Sequence, residues 1–150
     1  METIAVFVND AAHAQHLLQP MLAAADDTHW VLVACPPALT RHVGRWVSKA
    51  ARRAWRDRWS DELFAQLEPT LPASGRSRIE KVVASRPLAD VSARLLARLP
   101  GARLLDARRP ALGRSDEPLT LDQPPSDRAP KWAGTAVATT GLAAVLALAD

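Results

Sequence analysis

Short apolar runs alternate along this chain with longer stretches whose apolar residues recur at helical spacing. The runs Thr3–Val8 and His29–Ala34 are apolar and rich in residues that favour strands, and polar residues or prolines end them. Such runs are typical of strands that are buried on both faces of a parallel sheet. Ser77–Ala84 and Ala102–Asp106 predict two further strands, and Pro118–Leu121 predicts a fifth at the edge of the sheet.

Three helices are predicted between these strands. The first covers Ala11–Ala25, and the carboxylate of Asp10 can cap it by accepting bonds from its free amides. The second runs from Leu39 to about Asp57, with a break expected near Ser60, and the third opens at Pro87. This order predicts an α/β fold: right-handed crossovers in a parallel sheet of four to five strands, with helices on both faces.

The chain divides into three segments by composition. Residues 1–121 form the predicted α/β domain, residues 122–131 form a linker with three prolines, and residues 132–149 contain eighteen residues without a charge. As a helix, the last segment would be roughly 27 Å long, close to the thickness of the hydrocarbon core of a membrane. We therefore interpret it as an apolar C-terminal helix that anchors the chain. The residues expected to face the lipid are Trp132, Val137, Leu142, Val145, Leu146 and Leu148.

A competing interpretation of residues 132–149 remains open. The segment is rich in alanine and glycine and contains three threonines, so its insertion into lipid is only weakly favourable. It can instead fold back as a last helix that covers the sheet, or pair with a second copy of the chain through its small residues.

Length and composition indicate one globular domain. The chain has 150 residues, of which 48% are hydrophobic and 23% are charged, and its formal net charge is +3. The single cysteine, Cys35, excludes an internal disulfide, and the first residues lack the pattern of a signal peptide. We expect a cytoplasmic location.

The second predicted helix has a strongly basic face. At 100° per residue its basic side chains fall within an arc of roughly 120°, while valines and alanines occupy the opposite side and two tryptophans lie at the boundaries. Three interpretations fit this pattern: an anionic membrane surface, nucleic acid, or a solvated helix packed by its Val/Ala side. We expect no nucleic-acid partner. The residues concerned are Arg41, Arg45, Trp46, Lys49, Arg52, Arg53, Trp55 and Arg56.

Residues 1–121 resemble the universal stress protein family. The matching parts are Ile4–Asp10 with the helix that follows, His29–Ala34 with its long second helix, Val82–Val91, and Leu104–Asp106. The resemblance rests on the order of the helices and strands and on the local pattern of residue types. It implies a flavodoxin-like fold.

The resemblance also bears on nucleotide binding. Nucleotide-binding members carry a Gly-x2-Gly-x9-Gly-Ser/Thr loop after the fourth strand, whereas Ala107–Ser115 is shorter and contains one glycine, Gly113. Asp10 matches the family's acidic residue after the first strand, which contacts the base or ribose region of the nucleotide. Because only one half of that site is present, we expect neither ATP nor AMP as a cofactor.

Ligands of such sheets bind beyond the carboxyl ends of the strands. Arginines placed there can hold a small anion or a nucleotide, or they are simply solvated while Asp10 serves as a helix cap. The candidate ligand-binding residues are Asn9, Asp10, Arg86, Asp106, Arg108, Arg109 and Gly113.

Little in the sequence indicates catalysis or metal binding. Cys35 is either reactive near a helix start or a buried inert thiol. His13 and His16 lie three residues apart on one helix with Asp10, but no further cluster completes a metal shell. Common nucleophile, nucleotide and zinc motifs are missing from the sequence. We therefore expect no catalytic residues and no metal.

Two functions follow as hypotheses. The first is a non-catalytic accessory or regulatory domain of the universal-stress-protein type, attached to the cytoplasmic face of a membrane or membrane complex by its C-terminal helix. The alternative is a soluble dimeric nucleotide-binding protein of that family, whose C-terminal helix packs on the sheet. An enzyme that uses Cys35 is a third hypothesis.

Overall fold

The strands of this chain form one sheet in the order β3-β2-β1-β4-β5. A computed structural model describes residues 1–23, 27–39, 41–72, 76–85, 87–110, 117–121 and 137–139. The strands are β1 (Glu2–Val8), β2 (Thr28–Ala34), β3 (Arg78–Val83), β4 (Arg103–Asp106) and β5 (Val137–Thr139). The first four are mutually parallel, and β5 is antiparallel to β4. The predicted α/β class and the four parallel strands are confirmed, and they are consistent with a flavodoxin-like fold.

Helices cover both faces of the sheet. They are α1 (Ala11–Leu22), α2 (Arg41–Gly44), α3 (Lys49–Leu67) and α4 (Leu88–Arg98), with a short 3-10 helix at Glu68–Thr70. Alternate side chains of β1 point to opposite faces, so Val6 packs with α1 and α3 whereas Phe7 packs with α4. Every residue of β2 is buried, as expected for a strand covered on both faces.

The prediction for the second helix is wrong in its bounds. The break lies at residues 45–48, between α2 and α3, and α3 passes without interruption through Ser60. Ser48 begins α3 because its hydroxyl accepts a hydrogen bond from the amide of Ala51 at 3.1 Å. Ser60 is buried in the packed half of the helix, which contains Leu63 and Phe64. The apolar pattern of that half therefore continues the helix and does not start a new one.

The predicted edge strand at Pro118–Leu121 is also wrong. These residues form bends and a turn, and the side chain of Leu119 is buried among core residues on the α4 face. The place beside β4 is taken by Val137–Thr139, which lies inside the segment predicted as an apolar helix. The other residues of 132–149, and the linker 122–131, lie outside the described residues. Among the helices that are described, none is long and apolar enough to cross a membrane.

An ion pair joins β3 to the end of α4. Nη2 of Arg98 lies 2.6 Å from Oε1 of Glu80, and Nε2 of His29 lies 3.3 Å from Oε2 without the geometry of a hydrogen bond. The hydrogen bond from Arg98 holds the pKa of Glu80 below its usual value of 4.5. The ionised carboxylate therefore stabilises the folded state.

This ion pair predicts an acid-dependent loss of stability. Because the folded pKa of Glu80 is lowered, its contribution is present above pH 4.5 and is lost as the pH falls through the folded value. We expect Arg98→Gln to lower the free energy of unfolding at neutral pH by at most about 1 kcal/mol, since the pair is partly exposed. The difference from the wild type should shrink in urea titrations as the pH falls below 4.5 and through the folded pKa of Glu80. Arg53→Gln, which removes an exposed charge elsewhere, should leave the acid dependence unchanged. An Arg98→Gln protein with the full wild-type acid dependence would contradict this assignment.

Candidate functional site

Residues that follow β1 and β4 contact each other directly at the carboxyl edge of the sheet. The amide of Arg109 donates to Oδ1 of Asn9 at 2.6 Å, and Nδ2 of Asn9 donates to the carbonyl of Arg109 at 3.4 Å. In a sheet of this order, the gap between these two strands is the usual ligand crevice. Here the chain's own polar groups bridge it.

Asp10 is engaged as a helix cap. Its Oδ1 accepts a hydrogen bond from the amide of His13 at 2.9 Å, which confirms the predicted capping of α1. The other carboxylate oxygen lies 3.7 Å from Nη1 of Arg109. The guanidinium of Arg109 is otherwise exposed. Arg108 and Arg109 are the two described arginines among the predicted ligand-binding residues, and Arg109 is the one that faces solvent.

Arg108 folds back on Asp106. Its amide and Nε donate to Oδ1 of Asp106 at 3.1 and 2.8 Å, and Nη2 donates to Oδ2 at 2.9 Å. The same Nη2 donates to the carbonyl of Glu117 at 2.7 Å. Both charged side chains are buried, so the pair fixes the chain after β4 and does not present a free cation.

A carboxylate of the chain occupies the start of α4. Oε1 of Glu117 accepts a hydrogen bond from the amide of Leu88 at 2.7 Å. Free amides and the helix dipole make such a position favourable for anions, and in many proteins a phosphate binds there. Sequence reasoning missed Glu117, because 29 residues separate it from Leu88. Arg86 and Gly113, the remaining predicted ligand residues, lie outside the described residues.

The basic face predicted for the second helix is largely exposed. We define the basic surface as Arg45, Trp46, Lys49, Arg53 and Arg56, all of which are exposed. Trp46, in the turn between α2 and α3, is 83% exposed. Arg52 and Trp55 are half-buried, and the side chain of Arg41 is not among the described ones.

The Val/Ala side of this helix does not pack as expected. Ala50, Ala51 and Ala54 are exposed, and α3 is held instead by its second half. The first half of α3 therefore leaves both its basic and its apolar side chains at the surface. The predicted packing through the alanines is therefore wrong, while the exposure of the basic side chains fits a solvated helix as well as a binding surface.

The remaining candidates are placed as follows. Cys35 is buried, and its thiol donates to the carbonyl of Val33 at 3.6 Å. Within the described ranges, no three histidine, cysteine or acidic side chains are grouped so that they can hold a metal ion. His13 is half-buried and His16 is exposed on α1.

Fold and site together define an α/β domain with a flavodoxin-like parallel sheet whose β1–β4 crevice is bridged by its own side chains. No protein-family model and no curated protein sequence matches this chain.

Proposed function

We propose that this chain is a non-catalytic accessory or regulatory domain that attaches to the cytoplasmic face of a membrane or membrane complex. The basic surface is the first contact, and residues 132–149 are a second attachment. The observation that carries the proposal is the exposure of Trp46, at 83%, between the exposed side chains of Arg45 and Lys49.

The chemistry of the basic surface fits an anionic lipid layer. Tryptophan rings favour the boundary between lipid headgroups and acyl chains, where one end of the ring is wet and the other apolar. Each Lys or Arg near an anionic leaflet contributes about 1 kcal/mol to binding. The four basic side chains of this surface supply the electrostatic attraction to the lipid, and the indole of Trp46 supplies the apolar anchor.

The β1–β4 crevice is occupied by the chain's own side chains, and this supports a non-catalytic role. Asn9 and Arg109 bond to each other, Arg108 is paired with Asp106, and Glu117 occupies the start of α4. A nucleotide phosphate would have to displace the carboxylate of Glu117 to reach those amides. Attachment, rather than chemistry on a bound nucleotide, is the activity that this arrangement favours.

Vesicle binding tests the basic surface. We expect the double variant Arg45→Gln/Lys49→Gln to bind anionic vesicles about 30-fold more weakly, as two contributions of about 1 kcal/mol predict. Trp46→Ser should weaken binding about tenfold at any salt concentration, because it removes an apolar contact. Co-sedimentation with phosphatidylglycerol vesicles at low and high salt measures both effects.

The matched control removes the same number of positive charges from another part of the surface. Arg76→Gln/Arg78→Gln removes two exposed arginines at and before the amino end of β3, the opposite edge of the sheet from the basic surface. It should leave vesicle binding within about twofold of the wild type, because those residues lie far from the docked face. Equal weakening by both double variants would mean that net charge, and not the basic surface, governs binding, and the proposal would fail.

Residues 132–149 are tested by fractionation. We propose that the wild-type chain stays with membranes after a high-salt wash through a helix of residues 132–149, which requires Val137–Thr139 to leave β4. Leu142→Lys/Val145→Lys should release the chain, since a Lys near the centre of a spanning helix costs about 2.5–3.5 kcal/mol. Recovery of the wild-type chain in the soluble fraction without detergent would end the anchor part of the proposal.

The alternative function has one observation in its favour. Val137–Thr139 pairs with β4, as expected if the C-terminal segment packs on protein in a soluble, dimeric nucleotide-binding protein. Calorimetry with ATP and AMP distinguishes the two. Asp10→Ser keeps a good helix cap while removing the carboxylate, so nucleotide binding that this change abolishes would favour the alternative.

A further inference from the structure

A concave cleft lies beside the basic surface, between the first half of α3 and the carboxyl ends of β2 and β3. Its volume is about 410 Å³, which is within the range of small-molecule sites. Pro36–Leu39, after β2, forms one wall, and Ala84 and Ser85, after β3, form another. The third wall is made by Arg52, Trp55 and Arg56 of α3. This cleft is on the opposite side of β1 from the bridged β1–β4 crevice.

The cleft gathers cations without acidic partners. Nε of Arg52 donates to the carbonyl of Val47 at 3.2 Å, which fixes the side chain and uses none of its terminal nitrogens. Across the described ranges, Arg56 makes no ion pair or side-chain hydrogen bond, and no carboxylate lines the cleft. Two arginines therefore line one concave space, and no acidic side chain among the described lining residues neutralises them.

A hydroxyl and an apolar wall complete the cleft. Oγ of Ser85 accepts a hydrogen bond from Nη2 of Arg94 at 3.2 Å, so its own hydrogen is left for another acceptor. Trp55, Leu39 and Pro36 supply apolar surface beside the two guanidinium groups. The cleft thus combines donors for an anion with a surface for an organic group.

We propose that this cleft binds a phosphate ester. Arg52 and Arg56 donate to the phosphate oxygens, Ser85 adds a third donor, and the organic part of the ligand packs on Trp55. Two uncompensated guanidinium groups match the double negative charge of a phosphomonoester better than the single charge of a carboxylate. The ligand is a soluble phosphate ester or the headgroup of an anionic phospholipid, which share this chemistry. The inference goes beyond the proposed function, because docking on a flat lipid surface requires no cavity.

Calorimetry on the full chain tests the proposal. The probes are phenyl phosphate, benzoate, inorganic phosphate and dihexanoyl phosphatidic acid below its micelle concentration. We expect phenyl phosphate to bind at least about tenfold more tightly than benzoate, and Arg52→Gln/Arg56→Gln to weaken its binding at least about tenfold. The matched control, Arg58→Gln/Arg78→Gln, removes two exposed arginines that neither line the cleft nor belong to the basic surface, and it should change binding less than about twofold. Arg56→Gln alone, at an exposed position, supplies the same test if the double variant fails to fold.

Each outcome of the calorimetry either supports or overturns phosphate-ester binding by the cleft. Binding of phenyl phosphate that depends on Arg56 supports a soluble ester, and binding of dihexanoyl phosphatidic acid alone supports a lipid headgroup. Absence of binding by every probe at millimolar concentration, or equal weakening by both double variants, overturns the cleft as a site. Trp46→Ser should leave phenyl phosphate binding unchanged, so failure of the vesicle experiment and failure of this one are separate results.

Discussion

Asp106→Ala is expected to destabilise the fold by about 3–5 kcal/mol, because it removes the carboxylate that pairs with the buried guanidinium of Arg108. Both residues are only 7% exposed, and three hydrogen bonds join them. The guanidinium also donates to the carbonyl of Glu117, a bond that the substitution leaves in place. Urea-induced unfolding at neutral pH, followed by far-ultraviolet circular dichroism, measures the loss.

The double variant Asp106→Leu/Arg108→Met is the control. It removes both charges and fills the space with apolar groups, so we expect it to be more stable than Asp106→Ala. It should still fall short of the wild type, because the carbonyl of Glu117 loses its donor. A loss below about 1 kcal/mol in the single variant would show that Arg108 reaches solvent when its partner is removed.

The four parallel strands of this fold could be predicted from their apolar and β-branched residues, whereas β5 could not. β1 and β2 are largely apolar, and the structure buries the last five residues of β1 and the whole of β2. β3 is an edge strand in which no residue is fully buried, yet its Ile and Val positions still marked it. Local sequence is therefore sufficient to predict a strand whose surroundings are the same along its whole length.

The helix α3 shows where that reasoning stops. Its two halves are in different environments: the first half is exposed and basic, whereas the second packs through Ser60, Leu63, Phe64 and Leu67. An apolar arc taken from the first half therefore predicted a break at Ser60, although the helix continues. The capping residue, Ser48, was a short-range signal that could have placed the true start.

The candidate site depended on contacts between distant parts of the chain. Asp10 could be predicted as a cap because its partner is three residues away. The pairing of Asn9 with Arg109 spans 100 residues, and Glu117 reaches Leu88 across 29. No local sequence pattern indicates such pairs. The sequence therefore predicted which residues lie at the carboxyl edge of the sheet, but not that they form hydrogen bonds with one another.

Charges at the carboxyl edge of the sheet are arranged differently on the two sides of β1. Between β1 and β4 the chain's carboxylates and amides match its own cations. Beyond β2 and β3, Arg52 and Arg56 line a cleft to which the described part of the chain contributes no carboxylate. The basic surface lies on that same side, on the helix that also lines the cleft.

Leu119→Ala is expected to lower the free energy of unfolding by about 2–5 kcal/mol, the usual cost of emptying a leucine site in a core. Leu119 is fully buried and packs in the same cluster as Phe7 and Leu104, on the face that α4 covers. The segment after β4 therefore contributes to the core through this side chain, which explains why a stretch without regular structure is held there.

Leu121 supplies a matched control two residues away. It is 92% exposed, so Leu121→Ala should change the free energy of unfolding by no more than about 0.5 kcal/mol. Leu119→Met, which conserves volume, should cost less than about 1.5 kcal/mol. If Leu119→Ala proved as mild as Leu121→Ala, the α4 face would be closed without this segment. The contacts of Glu117 with Leu88 and Arg108 would then not be needed to hold the segment against that face.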